Sequence, residues 1–239
     1  MPDFVTWSSA YFIPCFAILT ATIGFTIYWF ITQNKKIPRR FFGDLQSENN
    51  WVYYIFFQKV MGFVFMGLVP AILVIVVTDF SLFELGISFS NASTSGIYIV
   101  LMGLAIVLVN SFAARKPQSL ATYPQMRIEN WSGKRFAINA IGWGLYLFAY
   151  EFLFRGILLF MCYQYFGFWP AVAINLSLYS ATHIPKGLGE TIGAYPYGFF
   201  LCYITIKTGS IAVAFFTHWI MSLSSDYFSI RYNSKMRFV

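Results

Sequence analysis

Residues 136–166 read FAINAIGWGLYLFAYEFLFRGILLFMCYQYF. A bilayer core about 30 Å thick takes about 20 helical residues, so this apolar stretch is long enough to cross with a tilt. Glu151 and Arg155 lie near its middle. A charge at that depth costs at least about 2.5–3.5 kcal/mol on insertion scales, so such residues pair, line a wet cavity or carry function. Four positions apart, the two share a helix face and can form an ion pair in the Glu-before-Arg order that suits the helix dipole. A structural salt bridge is the simplest reading of the pair.

The rest of the chain has the same character. Of its 239 residues 58% are hydrophobic, 21% aromatic and 10% charged, whereas soluble domains carry about a quarter charged residues. The expected fold class is all-α, a polytopic membrane helical bundle of about seven transmembrane helices. The net charge of +7 does not point to nucleic acid, because Lys and Arg fall mostly in short loops between apolar runs. There they act as topology signals and contacts to anionic headgroups. The lipid bilayer is the first expected partner.

Charge bias sets the expected topology. A first span over residues 11–32 precedes Lys35, Lys36, Arg39 and Arg40. A second covers residues 60–78 after the aromatic stretch 51–57, with Lys59 snorkelling to the headgroups. Residues 79–96, which include Ser90 and have no Lys or Arg, suit an external loop. A third span over residues 97–114 leads into a loop carrying Arg115, Lys116, Arg127, Lys134 and Arg135. After the long segment, Gly167 and Pro170 precede another span that ends near His183, and Pro and Gly residues then break the pattern over 183–193, a loop that suits partial re-entry. Two apolar segments, 194–206 and 210–223, are shorter than a full span. The basic tail ends the chain. This gives residues 1–135 as N-terminal helices with a basic cytoplasmic loop, 136–226 as a core, and 227–239 as the tail. The N-terminus is expected outside and the C-terminus in the cytoplasm, with the inner membrane as the site. Cys15, Cys162 and Cys202 all lie in apolar segments without paired spacing and read as packing residues.

His183 and His218 are the only histidines, and both lie in the half of the chain that carries Glu151. His218, Ser222 and Asp226 recur at intervals of four and share a helical face, as do Tyr179 and His183. Each histidine alone reads as a hydrogen-bonded core residue. Together with a carboxylate in a wet cavity, imidazoles can take a proton from water and stabilise the oxyanion of an attacked amide, the two needs of peptide hydrolysis. Two histidines and one carboxylate can also hold a catalytic zinc, although no HExxH segment is present. A transporter would use the same residue types but should show a repeated half, and none is evident.

The residues Tyr150-Glu151-Phe-Leu-Phe-Arg155-Gly156, then Tyr179-Ser-Ala-Thr-His183, then His218-Trp-Ile-Met-Ser222 resemble the three ordered motifs of the CPBP family, the CAAX proteases and bacteriocin-processing enzymes. The similarity covers residues 137–226. It implies an intramembrane endopeptidase acting on a lipidated or membrane-embedded substrate, with Glu151, Arg155, His183, His218 and Ser222 at the catalytic site. Two positions depart from the pattern. Tyr150 stands where the family has the first glutamate, the residue thought to activate water, and Ser222 replaces an amide or acid. A tyrosine with a pKa near 10 is a poor base. The alternative implied is a catalytically silent relative, a pseudoenzyme that binds a lipidated peptide or membrane-protein partner in the same cavity. Glu151, Glu190 and Asp226 are the carboxylates that could replace the missing base.

Overall fold

In a computed structural model, residues 8–45, 47–89 and 91–239 are described. The first residues, from which the N-terminus was expected to face outward, and Ser90 of the expected external loop lie outside them. Nine helices carry the described part of the chain: α1 (Phe12–Gln33), α2 (Lys36–Phe42), α3 (Glu48–Val77), α4 (Ala92–Ala113), α5 (Pro117–Thr122), α6 (Gly133–Phe166), α7 (Phe168–Ala181), α8 (Leu188–Thr208) and α9 (Ala212–Tyr232).

Four segments among the described residues are long and apolar enough to cross a membrane: Ser9–Gln33, Glu48–Val77, Ala92–Ala113 and Gly133–Phe166. The other three expected spans fall on α7, α8 and α9, which are shorter or more polar. Outward faces are apolar. Leu101, Leu104 and Leu108 of α4, like Leu19, Ile23 and Ile27 of α1, are exposed, as required where lipid replaces water. By contrast α6 is the central helix. Its Leu147, Leu153, Phe154, Ile157 and Leu158 are all buried, and α3 and α9 pack along it. Small residues permit the close approach: a Cβ on Gly67 of α3 would stand 2.8 Å from the Ala149 Cβ of α6.

Two stretches widen to π-helical turns, Val64–Leu68 within α3 and Phe152–Phe160 within α6. The second begins immediately after Glu151 and carries Arg155. Such bulges concentrate at functional sites because they re-aim side chains along an otherwise regular helix.

Several expectations change. Lys59 does not snorkel. It is 3% exposed, with Nζ 3.0 Å from the centre of the Trp143 ring and 2.7 Å from Gln125 Oε1. Residues 51–57 belong to the same helix as the second span. The two C-terminal segments are not short, since α8 and α9 each have 21 residues. Their apolar runs stop where polar side chains enter the helix, whereas the helices continue. The break expected over 183–193 shrinks to a 3₁₀ turn, Ile184–Lys186, and Gly187. At φ +100° Gly187 holds a conformation that a side chain would strain, and α8 starts directly after it. Cys162 and Cys202 are buried as expected, but Cys15 is exposed.

Two short parallel strands, β1 (Asn130–Trp131) and β2 (Arg237–Phe238), tie the tail to the loop before α6. Arg237 N–H donates to the Glu129 carbonyl at 2.9 Å, and Val239 N–H to that of Trp131 at 3.0 Å. The basic loop and the basic tail therefore share one end of the bundle.

Candidate active site

A cavity of about 510 Å³ has walls from α4, α5, α6, α7, α8 and α9. Tyr150, His183, His218 and Ser222 line it. Glu151 and Arg155 stand behind the wall and are fully buried.

Glu151 joins the site together. Its Oε1 lies 2.6 Å from Nδ1 of His218 on α9, and its Oε2 lies 3.2 Å from Nη1 of Arg155 one turn along α6. The Arg155 guanidinium stacks 3.9 Å from the centre of the Tyr179 ring on α7, a cation–π contact in a desolvated setting. One carboxylate thereby links α6 to α9, and one guanidinium links α6 to α7. The ion pair anticipated from i,i+4 spacing is present, and the histidine is its unanticipated third member.

Hydrogen bonding fixes both imidazoles. Nδ1 of His183 lies 3.0 Å from the Tyr179 carbonyl oxygen. A carbonyl only accepts, so Nδ1 carries the proton and Nε2 keeps a lone pair. Nδ1 of His218 faces a carboxylate and likewise donates, which again leaves Nε2 as the open nitrogen. No described residue bonds either Nε2.

Tyr150 stands between the two histidines, its ring edge-on to both at centroid distances of 6.5 Å to His183 and 5.9 Å to His218. The Thr182 hydroxyl donates to the Tyr179 carbonyl at 2.7 Å, so at 2.6 Å it accepts the Tyr150 O–H. The phenol proton is committed to that bond. Thr182 was missed in the sequence, although it sits inside the second motif, immediately before His183.

The other carboxylates divide. Asp226 is buried away from the cavity, accepting from Asn139 Nδ2 and Trp143 Nε1, both at 2.7 Å. Glu190 lines the cavity, where the Tyr123 hydroxyl sits 3.1 and 3.2 Å from its two oxygens and Lys186 Nζ 3.6 Å away. Burial pushes the Tyr123 hydroxyl well above the usual tyrosine range, and the charge of Glu190 adds to the shift, so Tyr123 stays a donor. Ser222 lines the cavity, and its hydroxyl makes no bond to a described side chain. Among the described residues no group of three or more His, Cys, Asp and Glu could hold a metal ion. Glu151 stands behind the wall, with Oε1 on His218 Nδ1 and Oε2 ion-paired to Arg155, so it does not face the cavity beside the two open Nε2 atoms as the carboxylate of a two-histidine zinc site would.

Comparison with known families falls on the same helices. Residues 134–224 match the type II CAAX prenyl endopeptidase Rce1-like family. The Rce1-like segment begins in the first turn of α6 and ends in α9 just past Ser222, so all three motifs lie within it, in agreement with the CPBP resemblance. Together with four apolar helices, it makes the chain an integral membrane protein of helical build. The chain matches no curated protein and no solved structure.

Proposed function

We propose that the chain is an intramembrane endopeptidase of the CAAX type, hydrolysing a peptide bond of a lipidated or membrane-embedded substrate in the cavity between α6, α7 and α9. The observation that carries this reading is Glu151 held between Arg155 and His218 beside two imidazoles with open Nε2 atoms. The arrangement costs buried charge, and a passive scaffold has no need of it. His183 and His218 hold the water, Ser222 faces the scissile carbonyl, Glu151 orients His218, and Arg155 holds Glu151.

A second reading, a silent relative that binds a partner in the same cavity, is favoured by Tyr150. Its proton is bound to Thr182, and a phenol stands where the family pattern has a carboxylate.

The shared end of the basic loop and tail supports the topology with both in the cytoplasm and the N-terminus opposite, α7 to α9 completing seven crossings of the inner membrane. Cleavage of prenylated CAAX peptides and of transmembrane peptides by the purified protein in lipid, beside His183→Ala and His218→Ala, tests the function. Turnover lost in both variants supports the enzyme. A stoichiometric membrane partner on purification, with no turnover, supports the silent reading.

A further inference from the structure

The hydrolytic reading leaves one chemical gap, because the side chain at position 150 has no basic oxygen free of its proton bond to Thr182. Three carboxylates lie in this region, and none fills the gap. Glu151 has one oxygen on His218 and the other beside Arg155. Asp226 is buried against Asn139 and Trp143, and Glu190 is bound by Tyr123 and paired with Lys186.

We infer that Nε2 of His218 is the general base that activates water, with Glu151 as its positioning residue. This assignment rests on the endopeptidase reading. A carboxylate that accepts from Nδ1 fixes the tautomer with the lone pair on Nε2 and stabilises the imidazolium once a proton arrives, the logic of a carboxylate–histidine pair in hydrolysis. The geometry meets each requirement: a 2.6 Å bond, a fully buried carboxylate, and a ring on the cavity wall. His183 lacks the carboxylate, since its Nδ1 rests on a neutral carbonyl.

The step balances without any further reagent. Nε2 takes one proton from water as the water oxygen bonds to the peptide carbonyl carbon, placing a negative charge on the carbonyl oxygen. Among the described cavity groups the Ser222 hydroxyl is free to donate to that oxygen, since the Tyr150 and Tyr197 hydroxyls already bond Thr182 and Thr217. When the C–N bond breaks, the proton on Nε2 passes to the leaving nitrogen, so the products are an acid and an amine and the imidazole is neutral again.

The test uses the full chain in lipid and whichever prenylated or transmembrane peptide the wild type cleaves. His218→Gly is expected to lower turnover by about 10²–10⁴-fold, the usual contribution of a general base, with imidazole restoring it and the similarly sized but weakly basic pyrazole not. Equal restoration by pyrazole, or none by imidazole, overturns the assignment while leaving the endopeptidase reading in place. A wild type that cleaves neither peptide class overturns both. Nitrogen chemical shifts of labelled His218 in the wild type give a readout independent of that variant's folding. A proton on Nδ1 with Nε2 bare is expected, and a proton on Nε2 with Nδ1 bare overturns the assignment.

Discussion

Nδ1 of His218 and Oε1 of Glu151 stand 2.6 Å apart, although 67 positions separate them in the chain. The bond joins the first and third motifs across the α6–α9 interface and turns an i,i+4 ion pair into a three-residue chain, Arg155–Glu151–His218. If that chain orients the imidazole, Glu151→Gln lowers kcat while leaving KM near its wild-type value, because the carboxylate does not touch substrate. Steady-state kinetics in lipid check the split; an effect confined to KM contradicts it.

Removing one member of the buried pair strands the other. Arg155→Met leaves the Glu151 carboxylate without its guanidinium and is expected to destabilise the protein by about 3–5 kcal/mol. The double variant Arg155→Met/Glu151→Gln should recover part of that loss, since no unpaired buried charge remains. Thermal unfolding of the three proteins in detergent measures it, and an additive double variant would show that the two groups do not interact.

The Tyr150 hydroxyl makes one bond, to Thr182, whose own proton goes to the Tyr179 carbonyl. Tyr150→Phe therefore removes a single neutral hydrogen bond and should cost about 0.5–1.5 kcal/mol of stability. Chemical denaturation in mixed micelles is the check; a loss of several kcal/mol would mean that the phenol holds more than Thr182.

How much of this was legible in the sequence depends on range. Glu151 and Arg155 declare their pairing by spacing on one helix, and the motif order places His183 and His218 on later segments of the chain. The His218 bond to Glu151 has no local signature, nor has either imidazole's tautomer, because both depend on atoms brought in by packing. Lys59 was misjudged for the same reason. A lysine beside an apolar run reads as a snorkelling cation, but Trp143 and Gln125 from other elements capture its ammonium. Hydropathy truncated α8 and α9 because polar positions beyond the apolar runs, Glu190 in α8 and Ser225 and Asp226 in α9, face the cavity or are buried by packing rather than ending the helix.

Below the cavity, Asp226 offers a contrast between charge and hydrogen bonding. Asp226→Asn can still accept from Asn139 or Trp143 and should change stability little. Asp226→Leu leaves both donors buried without a partner, at about 1–3 kcal/mol for each. Unfolding midpoints of the two variants check this; equal losses would show that the negative charge, not the acceptor, matters there.

Gly193 lines the cavity, and a Cβ built on it meets nothing within 4 Å. Gly193→Leu is thus expected to fold, with helix propensity in its favour by about 0.5–1 kcal/mol, while narrowing the cavity. A raised KM for the bulkier peptide substrates at unchanged thermal stability is the expected result, and unchanged KM would place substrate elsewhere.

On the proposed reading, this cavity hydrolyses peptide bonds with tyrosine at position 150. The most direct measurement sets wild type beside Tyr150→Glu and His218→Ala in one cleavage assay with prenylated CAAX peptides in liposomes. Cleavage by the wild type and its loss in His218→Ala are the expected results. Cleavage by Tyr150→Glu alone, with an inert wild type, would contradict it and identify an intact scaffold retired from catalysis.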